Sequence, residues 1–141
     1  MILAAALAII SFAAVFHIHW ALGGHLGYSV SLPQLPDGTP VMANRLAFWR
    51  PAAGGVALCL ICLALLLLTR SGHLHLPLSE DPIRFALLFV GVAFVARTLI
   101  PNPYVGFFKA LRTTRWAKYD TRLYSPLFLV LGLLTVWQSI N

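Results

Sequence analysis

Residues 51–69 read P-A-A-G-G-V-A-L-C-L-I-C-L-A-L-L-L-L-T, and this stretch decides the fold class. It contains no charged side chain, and residues 63–68 are almost pure leucine. The proline at its start suits the first helical position, where a missing backbone N–H costs least. Such a stretch predicts a transmembrane helix, because backbone hydrogen bonds must be satisfied within the segment in lipid.

The composition of the whole chain agrees with that prediction. Hydrophobic residues make up 60% and charged residues 10% of the 141 residues, and the mean hydropathy is +0.84. Soluble domains carry roughly 25% charged residues, so the sequence predicts a single membrane domain, residues 1–141. The net charge of +6 does not indicate nucleic-acid binding, because the basic residues lie in short segments between apolar spans.

Three further apolar stretches complete a predicted all-α bundle of four transmembrane helices. The first span lacks the basic n-region of a signal peptide, so we expect it to be retained. In the third span, Arg97 must either snorkel to the interface or face the bundle interior. The predicted spans cover residues 2–22, 51–69, 82–100 and 124–140, and a basic, aromatic loop covers residues 101–123.

The distribution of basic residues predicts the orientation of this bundle in a bacterial cytoplasmic membrane. Loops enriched in Lys and Arg stay on the cytoplasmic side, so we expect both termini to face outward. The opposite side carries only Arg70 and Arg84. The predicted cytoplasmic loops carry Arg45, Arg50, Arg97, Lys109, Arg112, Arg115, Lys118 and Arg122.

The first span ends in the sequence H-I-H-W-A-L-G-G-H, residues 17–25. His17 and His19 are two positions apart, so on a helix they point in nearly opposite directions and cannot bind one metal ion. His17 and Trp20 share a face, and His25 follows paired glycines where the chain can turn. The cluster is either an interfacial packing element or a ligand site, since ionisable groups at a bilayer edge often face a cavity.

Asp120 is one of two acids in the predicted cytoplasmic loops. Arg122, Arg115 and His19 are its candidate partners, either in a structural ion pair or in a pair that raises the basicity of an imidazole. The candidates for acid–base catalysis are therefore His17, His19 and Asp120.

Arginines and aromatic residues at the same end also fit an anionic head group. Guanidinium groups offer fork-shaped donors that match phosphate or carboxylate, although the same arginines also serve as ordinary cytoplasmic anchors. The predicted ligand-binding residues are His17, Trp20, His25, Arg97, Asn102, Asp120, Arg122 and Tyr124.

Redox and haem chemistry are disfavoured. Cys59 and Cys62 form C-x-x-C deep in the second span, where burial raises a thiol pKa, and no second cysteine pair relays electrons. Haem requires facing histidines, yet His73 and His75 lie across the membrane from His17. We therefore predict no metal and no cofactor.

Three motifs occur in order along the chain: H-x-H-W-A-L-G-G at residues 17–24, Y-V-G-F-F-K at residues 104–109, and D-x-R-L-Y-S-P-L at residues 120–127. Together they resemble a bacterial family of small membrane proteins labelled domain of unknown function 3995. The resemblance covers essentially the whole chain. It implies a four-helix membrane protein, and it implies no activity, cofactor or catalytic residue.

The function predicted first is non-catalytic binding of a lipid head group or an anionic amphiphile in a polar pocket at the cytoplasmic end. Membrane lipids would be its partners. One alternative is a small membrane enzyme that acts on a lipid-like substrate through a histidine and Asp120. Another is a transporter built as a homo-oligomer, since four short helices alone can hardly enclose a pathway. Small multidrug exporters carry a glutamate in their first helix, and this chain has none there.

Overall fold

The computed structural model describes residues 1–41 and 48–141. Other helical elements lie between the α-helices. A short 3-10 helix, Tyr28–Val30, follows the first α-helix, and a π-helical turn, Asp120–Tyr124, joins the fourth α-helix to the fifth without a break. Arg45, which contributes to the predicted orientation, lies outside the described residues. The helices are α1 (Ile2–Ala21), α2 (Trp49–Arg70), α3 (Glu80–Leu99), α4 (Arg115–Tyr119) and α5 (Ser125–Ile140).

Four helical segments are long and apolar enough to cross a membrane: α1, α2, α3 and the continuous segment Arg115–Ile140. Their outward faces carry large apolar side chains such as Leu58, Phe85 and Phe89. These faces suit lipid contact, and the helices satisfy their own backbone hydrogen bonds. The chain is an all-α, multi-pass membrane protein, and the predicted fold class is confirmed.

The helices form two antiparallel pairs, because α1 packs mainly against α2 and α3 packs mainly against α5. At one end of the bundle, Nε of Arg50 donates to the carbonyl of Ala21 at 3.2 Å. At the other end, Nε of Arg84 donates to the carbonyl of Ser139 at 3.2 Å. The loops after α1 and α3 therefore share one end, which we call the polar end. The shared core consists of Ala6, Ile10, Ala14, Leu60, Leu63, Leu67, Ile83, Leu87 and Leu131.

Two glycines allow α3 and α5 to approach closely. A Cβ atom on Gly91 would lie 2.9 Å from the carbonyl oxygen of Gly132 and 2.9 Å from the backbone nitrogen of Val136. A Cβ atom on Gly132 would in turn lie 2.9 Å from the carbonyl oxygen of Gly91. Small residues permit this backbone contact, and van der Waals packing is what holds helices together in lipid.

The last helical segment begins at Arg115, well before the span predicted from residue 124. Thr114 starts α4, because its hydroxyl accepts a hydrogen bond from the backbone N–H of Ala117 at 3.1 Å. Only Trp116, Ala117 and Asp120 are buried in the turns before Tyr124. Because so few positions of these turns face inward, the sequence shows no clear apolar period there, and the helical start at Arg115 was not predicted.

Candidate functional site

Trp20 and Tyr124 lie at the same end of the molecule. Nε1 of Trp20 donates to the carbonyl of Leu26 at 2.7 Å, and the hydroxyl of Tyr124 donates to the carbonyl of Val30 at 3.1 Å. Both side chains therefore hold the loop that follows α1. Around this loop the polar end contains two clusters, a buried ionic cluster at Asp120 and an aromatic cavity beside Trp20.

The ionic cluster is centred on Asp120, which is fully buried. Its Oδ1 accepts from Nη2 of Arg97 at 2.8 Å, and its Oδ2 accepts from Nζ of Lys109 at 2.9 Å. Oδ2 also accepts from the backbone N–H of Gly106 at 2.9 Å and from the hydroxyl of Ser125 at 3.1 Å. The carboxylate is thus held by four donors, which is the condition under which a buried charge is tolerated.

Lys109 is as deeply buried as the carboxylate, with 1% of its surface exposed. Its Nζ donates to the carbonyl of Gly106 at 2.7 Å, to Asp120, and to the hydroxyl of Thr121 at 2.7 Å, so all three N–H groups are used. The cluster of two cations and one anion carries one positive charge in excess. Cζ of Arg97 lies 4.1 Å from the ring centroid of Phe128, and this cation–π contact stabilises part of the excess.

Gly106 lets the loop after α3 fold back onto the end of that helix. Its φ is +86°, a conformation that side chains rarely adopt. A Cβ atom there would lie 2.8 Å from the carbonyl oxygen of Arg97 and 2.9 Å from that of Thr98. The next residue, Phe107, donates its backbone N–H to Thr98 at 2.9 Å. This fold-back brings the backbone N–H of Gly106 and the ammonium of Lys109 to Asp120.

The partners of Asp120 differ from those predicted from the sequence. Arg115 and Arg122 lie on the exposed side of the helix, whereas Asp120 faces inward. His19 contacts the loop after α1 instead, where its Nε2 accepts from the backbone N–H of Leu26 at 3.2 Å. The expectation of a pair with Arg115, Arg122 or His19 is therefore corrected, because the helical turn directs the carboxylate toward α3.

The structure does not bring His17 or His19 to Asp120. Nδ1 of His17 lies 2.8 Å from the carbonyl oxygen of Ala13, and its ring packs edge-on against Trp20 with centroids 4.9 Å apart. Among the described residues, all ion pairs of Asp120 are with Arg97 and Lys109. Of the three candidates for acid–base catalysis, Asp120 lies in the ionic cluster, whereas His17 and His19 lie apart from it on the last turns of α1.

The second cluster is a cavity of about 280 Å³ between the end of α1 and the start of α2. The ring of Trp49 lies 5.6 Å from that of Trp20 and 5.0 Å from that of Tyr28, and the latter pair is nearly perpendicular at 86°. Such a mixed arrangement of rings gives a rigid apolar wall. The cavity is lined by Trp20, Gly23, Gly24, His25, Tyr28, Trp49 and Arg50.

The backbone of Leu26 fixes the shape of this cavity. His19 accepts its N–H and Trp20 donates to its carbonyl, so both polar groups of one residue are held by the last turn of α1. Gly23 has a φ of +94°, which allows the sharp turn after the helix. At Gly24 there is no room for a Cβ atom, because it would collide with the imidazole of His19. Both glycines are therefore required by the turn after α1, Gly23 for its backbone conformation and Gly24 for the space beside His19.

The remaining predicted ligand-binding residues lie apart from the cavity. Asn102 is exposed, and its side-chain oxygen accepts from the backbone N–H groups of Tyr104 at 2.9 Å and Val105 at 3.3 Å. Arg122 is exposed, and Tyr124 is bonded to the loop after α1. Of the eight predicted residues, Trp20 and His25 line the cavity, and Arg97 and Asp120 meet in the ionic cluster.

Sequence reasoning missed seven residues that build the two clusters: Tyr28, Trp49, Arg50, Gly106, Lys109, Thr121 and Ser125. The first three appear in the sequence as ordinary interfacial aromatic and basic residues. Gly106 and Lys109 belong to the Y-V-G-F-F-K motif, but a lysine in a basic loop gives no sign of burial. A glycine three positions before a lysine, followed by a lone aspartate, is the signal that would have indicated the ionic cluster.

In the described part of the chain, the cysteines form no disulfide and the potential metal ligands form no cluster. Cys59 and Cys62 are free thiols on the exposed, lipid-facing side of α2. Within residues 1–41 and 48–141, no three His, Cys, Asp or Glu side chains gather where a metal ion would be held.

Comparison with known proteins places the chain in one family. No curated protein and no solved structure matches it. A family model matches residues 9–135, which include α2 and α3 entirely, the other two spans in part and both clusters of the polar end. The chain belongs to the family described as Protein of unknown function (DUF3995).

Proposed function

We propose that the chain is a protein of the bacterial cytoplasmic membrane that binds the anionic head group of a lipid, or of a similar amphiphile, in the aromatic cavity of its polar end. The observation that carries this proposal is the position of Arg50. Its side chain lines the cavity, and the residue lies in the first turn of α2. A guanidinium group suits phosphate and carboxylate because its donors form a fork.

The start of α2 adds a second attraction for an anion. Helix N-termini carry a partial positive charge, and acidic side chains usually occupy their first turn. α3 follows this rule with Glu80 and Asp81, whereas the first turn of α2 has no acidic residue and contains Arg50. The N-cap residue Phe48 has no side chain that accepts hydrogen bonds. An anion in the cavity would offset the charge of both the helix end and the guanidinium group.

The size and walls of the cavity favour a head group over a whole lipid molecule. Sites for drug-sized ligands measure roughly 300–1,000 Å³, and this cavity of about 280 Å³ lies just below that range. The rings of Trp20 and Trp49 supply an apolar wall beside the positive group. Such rings sit at the level of the head groups in membrane proteins, where the charged part of an amphiphile is also found.

The proposal is tested by an Arg50→Gln variant with Arg84→Gln as its matched control. Each arginine donates Nε to a helix carbonyl at 3.2 Å, but at opposite ends of the bundle. Native mass spectrometry of the full chain would measure binding of phosphatidylglycerol, a fatty acid and phosphatidylcholine. We expect Arg50→Gln to weaken binding of the anionic ligand by about tenfold or more, the effect of losing one charge-assisted hydrogen bond.

The outcomes decide both the proposal and the class of ligand. A preference for phosphatidylglycerol identifies a phospholipid head group, and a preference for the fatty acid identifies a carboxylate amphiphile. If Arg84→Gln binds the anionic ligand as tightly as the wild type does, the site lies at the polar end. Equal binding of phosphatidylcholine, or unchanged binding by Arg50→Gln, would rule out an anion site at this cavity.

A further inference from the structure

α4 and the π-helical turn present one charged face that takes no part in either cluster. The face begins at Arg115, and Lys118, Tyr119 and Arg122 lie three, four and seven residues after it. All four side chains are exposed. Residues with these spacings share one side of a helix. The opposite side carries Trp116, Ala117 and Asp120, which are buried. We call the exposed side, with Arg115, Lys118, Tyr119 and Arg122, the basic face.

The length of the last helical segment places the basic face at the level of lipid head groups. The segment Arg115–Ile140 has 26 residues, and at 1.5 Å per residue it is about 39 Å long. The hydrocarbon core of a bilayer is only about 30 Å thick, so roughly six residues extend beyond it. The charged residues all lie before Tyr124, whereas the apolar residues follow Pro126. The extension therefore belongs to the N-terminal end of the segment, and Arg122 lies about 3 Å beyond it, within reach of the head groups through its long side chain.

The charges of the basic face have no counter-ion in the described part of the chain. Both ion pairs found there are made by Asp120, which is buried on the opposite side of the helix. Asp37 also belongs to the polar end, but its carboxylate accepts from the hydroxyl and the backbone N–H of Thr39. These hydrogen bonds, the one from the hydroxyl first, lower the pKa of Asp37. Within the described residues, nothing neutralises Arg115, Lys118 and Arg122, so these charges can attract an anion from outside the protein.

We propose that the basic face binds the layer of anionic phospholipid head groups that surrounds the protein. Charge complementarity supports this partner, since each basic residue near an anionic leaflet contributes to attraction. Tyr119 on the face is 46% exposed, and Phe108 in the preceding loop is 57% exposed. Aromatic rings in this position insert at the membrane interface. The face is independent of the cavity at Arg50.

Spin-labelled phosphatidylglycerol and phosphatidylcholine in vesicles of both lipids would test this proposal, because electron spin resonance measures how often each lipid contacts the full-length protein. The test variant is Arg115→Gln with Arg122→Gln. The control is Arg70→Gln with Arg84→Gln, which removes the same charge at the other end. We expect the wild-type preference for phosphatidylglycerol to fall by about half or more in the test variant only. Rising salt should weaken the wild-type preference.

Other outcomes would overturn the proposal. An equal loss in both double variants would mean that net charge alone sets the preference. An unchanged preference in the test variant would remove the basic face from lipid contact. Binding of a mixed-sequence RNA to the protein in phosphatidylcholine nanodiscs, lost in the test variant, would assign the face to nucleic acid. In native mass spectrometry, Arg50→Gln should weaken binding of the anionic ligand by the same factor in the test variant as in the wild type, which separates this proposal from that of the cavity.

Discussion

The carboxylate of Asp120 accepts a hydrogen bond at 2.8 Å from the guanidinium group of Arg97, which lies on a different helix and 23 residues earlier in the chain. Lys109 binds the other carboxylate oxygen from the loop between them. One buried anion thus connects the end of α3, the following loop and the start of the last helical segment. The geometry of the polar end depends on this anion.

Replacement of Asp120 by Asn should strongly destabilise the protein. The change keeps the shape of the side chain but leaves the buried Lys109 and the partly buried Arg97 without a counter-ion. Loss of one member of a buried ion pair costs on the order of 3–5 kcal/mol. The free energy of unfolding in mixed micelles, titrated with sodium dodecyl sulfate, measures the loss. Asp37→Asn is the control and should change little, because Asp37 is exposed; equal effects would contradict a structural role for the ionic cluster.

Alanine should be tolerated less well at Gly106 than at Gly38. Both glycines have a φ of +86°, so both substitutions carry the same backbone strain, of roughly 1–2 kcal/mol. A Cβ atom at Gly38 meets nothing within 4 Å, whereas one at Gly106 meets the carbonyl oxygen of Arg97 at 2.8 Å. We expect Gly106→Ala to lower the melting temperature of the detergent-solubilised protein much further. Similar melting temperatures would mean that the fold-back of the loop is not constrained.

The contact between α3 and α5 predicts opposite effects of two Gly→Ala substitutions in membrane helices. Gly91→Ala places a Cβ atom 2.9 Å from the backbone of α5, and such overpacking costs typically 1–3 kcal/mol. Gly55→Ala on α2 meets nothing within 4 Å and should stabilise its helix by roughly 0.5–1 kcal/mol. Unfolding in mixed micelles measures both changes. A stabilising Gly91→Ala would refute the close approach.

The proposed orientation is tested by labelling single cysteines in intact cells. In a background with Cys59→Ser and Cys62→Ser, one variant carries Thr113→Cys at the polar end and the other carries Asn141→Cys at the chain end. A maleimide that cannot cross membranes should react with Asn141→Cys at once and with Thr113→Cys only after permeabilisation, because basic loops remain in the cytoplasm. The reverse pattern would show that the basic loops face outward.

The fold was predictable because its signals are local. Each apolar stretch is long enough to cross lipid, and lipid allows such a stretch only one hydrogen-bonded form, the helix. The start of α4 at Arg115 was not predictable in the same way. Its inward side consists of Trp116, Ala117 and Asp120, and a buried charge in the middle of that side breaks the apolar period.

The two clusters were only partly predictable, since their members meet through loops. Helix directions alone indicated that Trp20, Arg97 and Asp120 gather at one end. No local pattern indicates that the side chain of Lys109 is buried while that of Arg122 is exposed, because the sequence shows both only as basic residues of the predicted loop 101–123. That difference depends on the left-handed backbone of Gly106, which becomes visible only in three dimensions.

The division of the bundle into two helix pairs allows the membrane-insertion machinery to handle the chain in two stages. α1 and α2 leave the ribosome before α3, and α3 meets its main packing partner only when α5 emerges. The bonds from Trp116 to Gln34 and from Tyr124 to Val30 then join the early half to the late half.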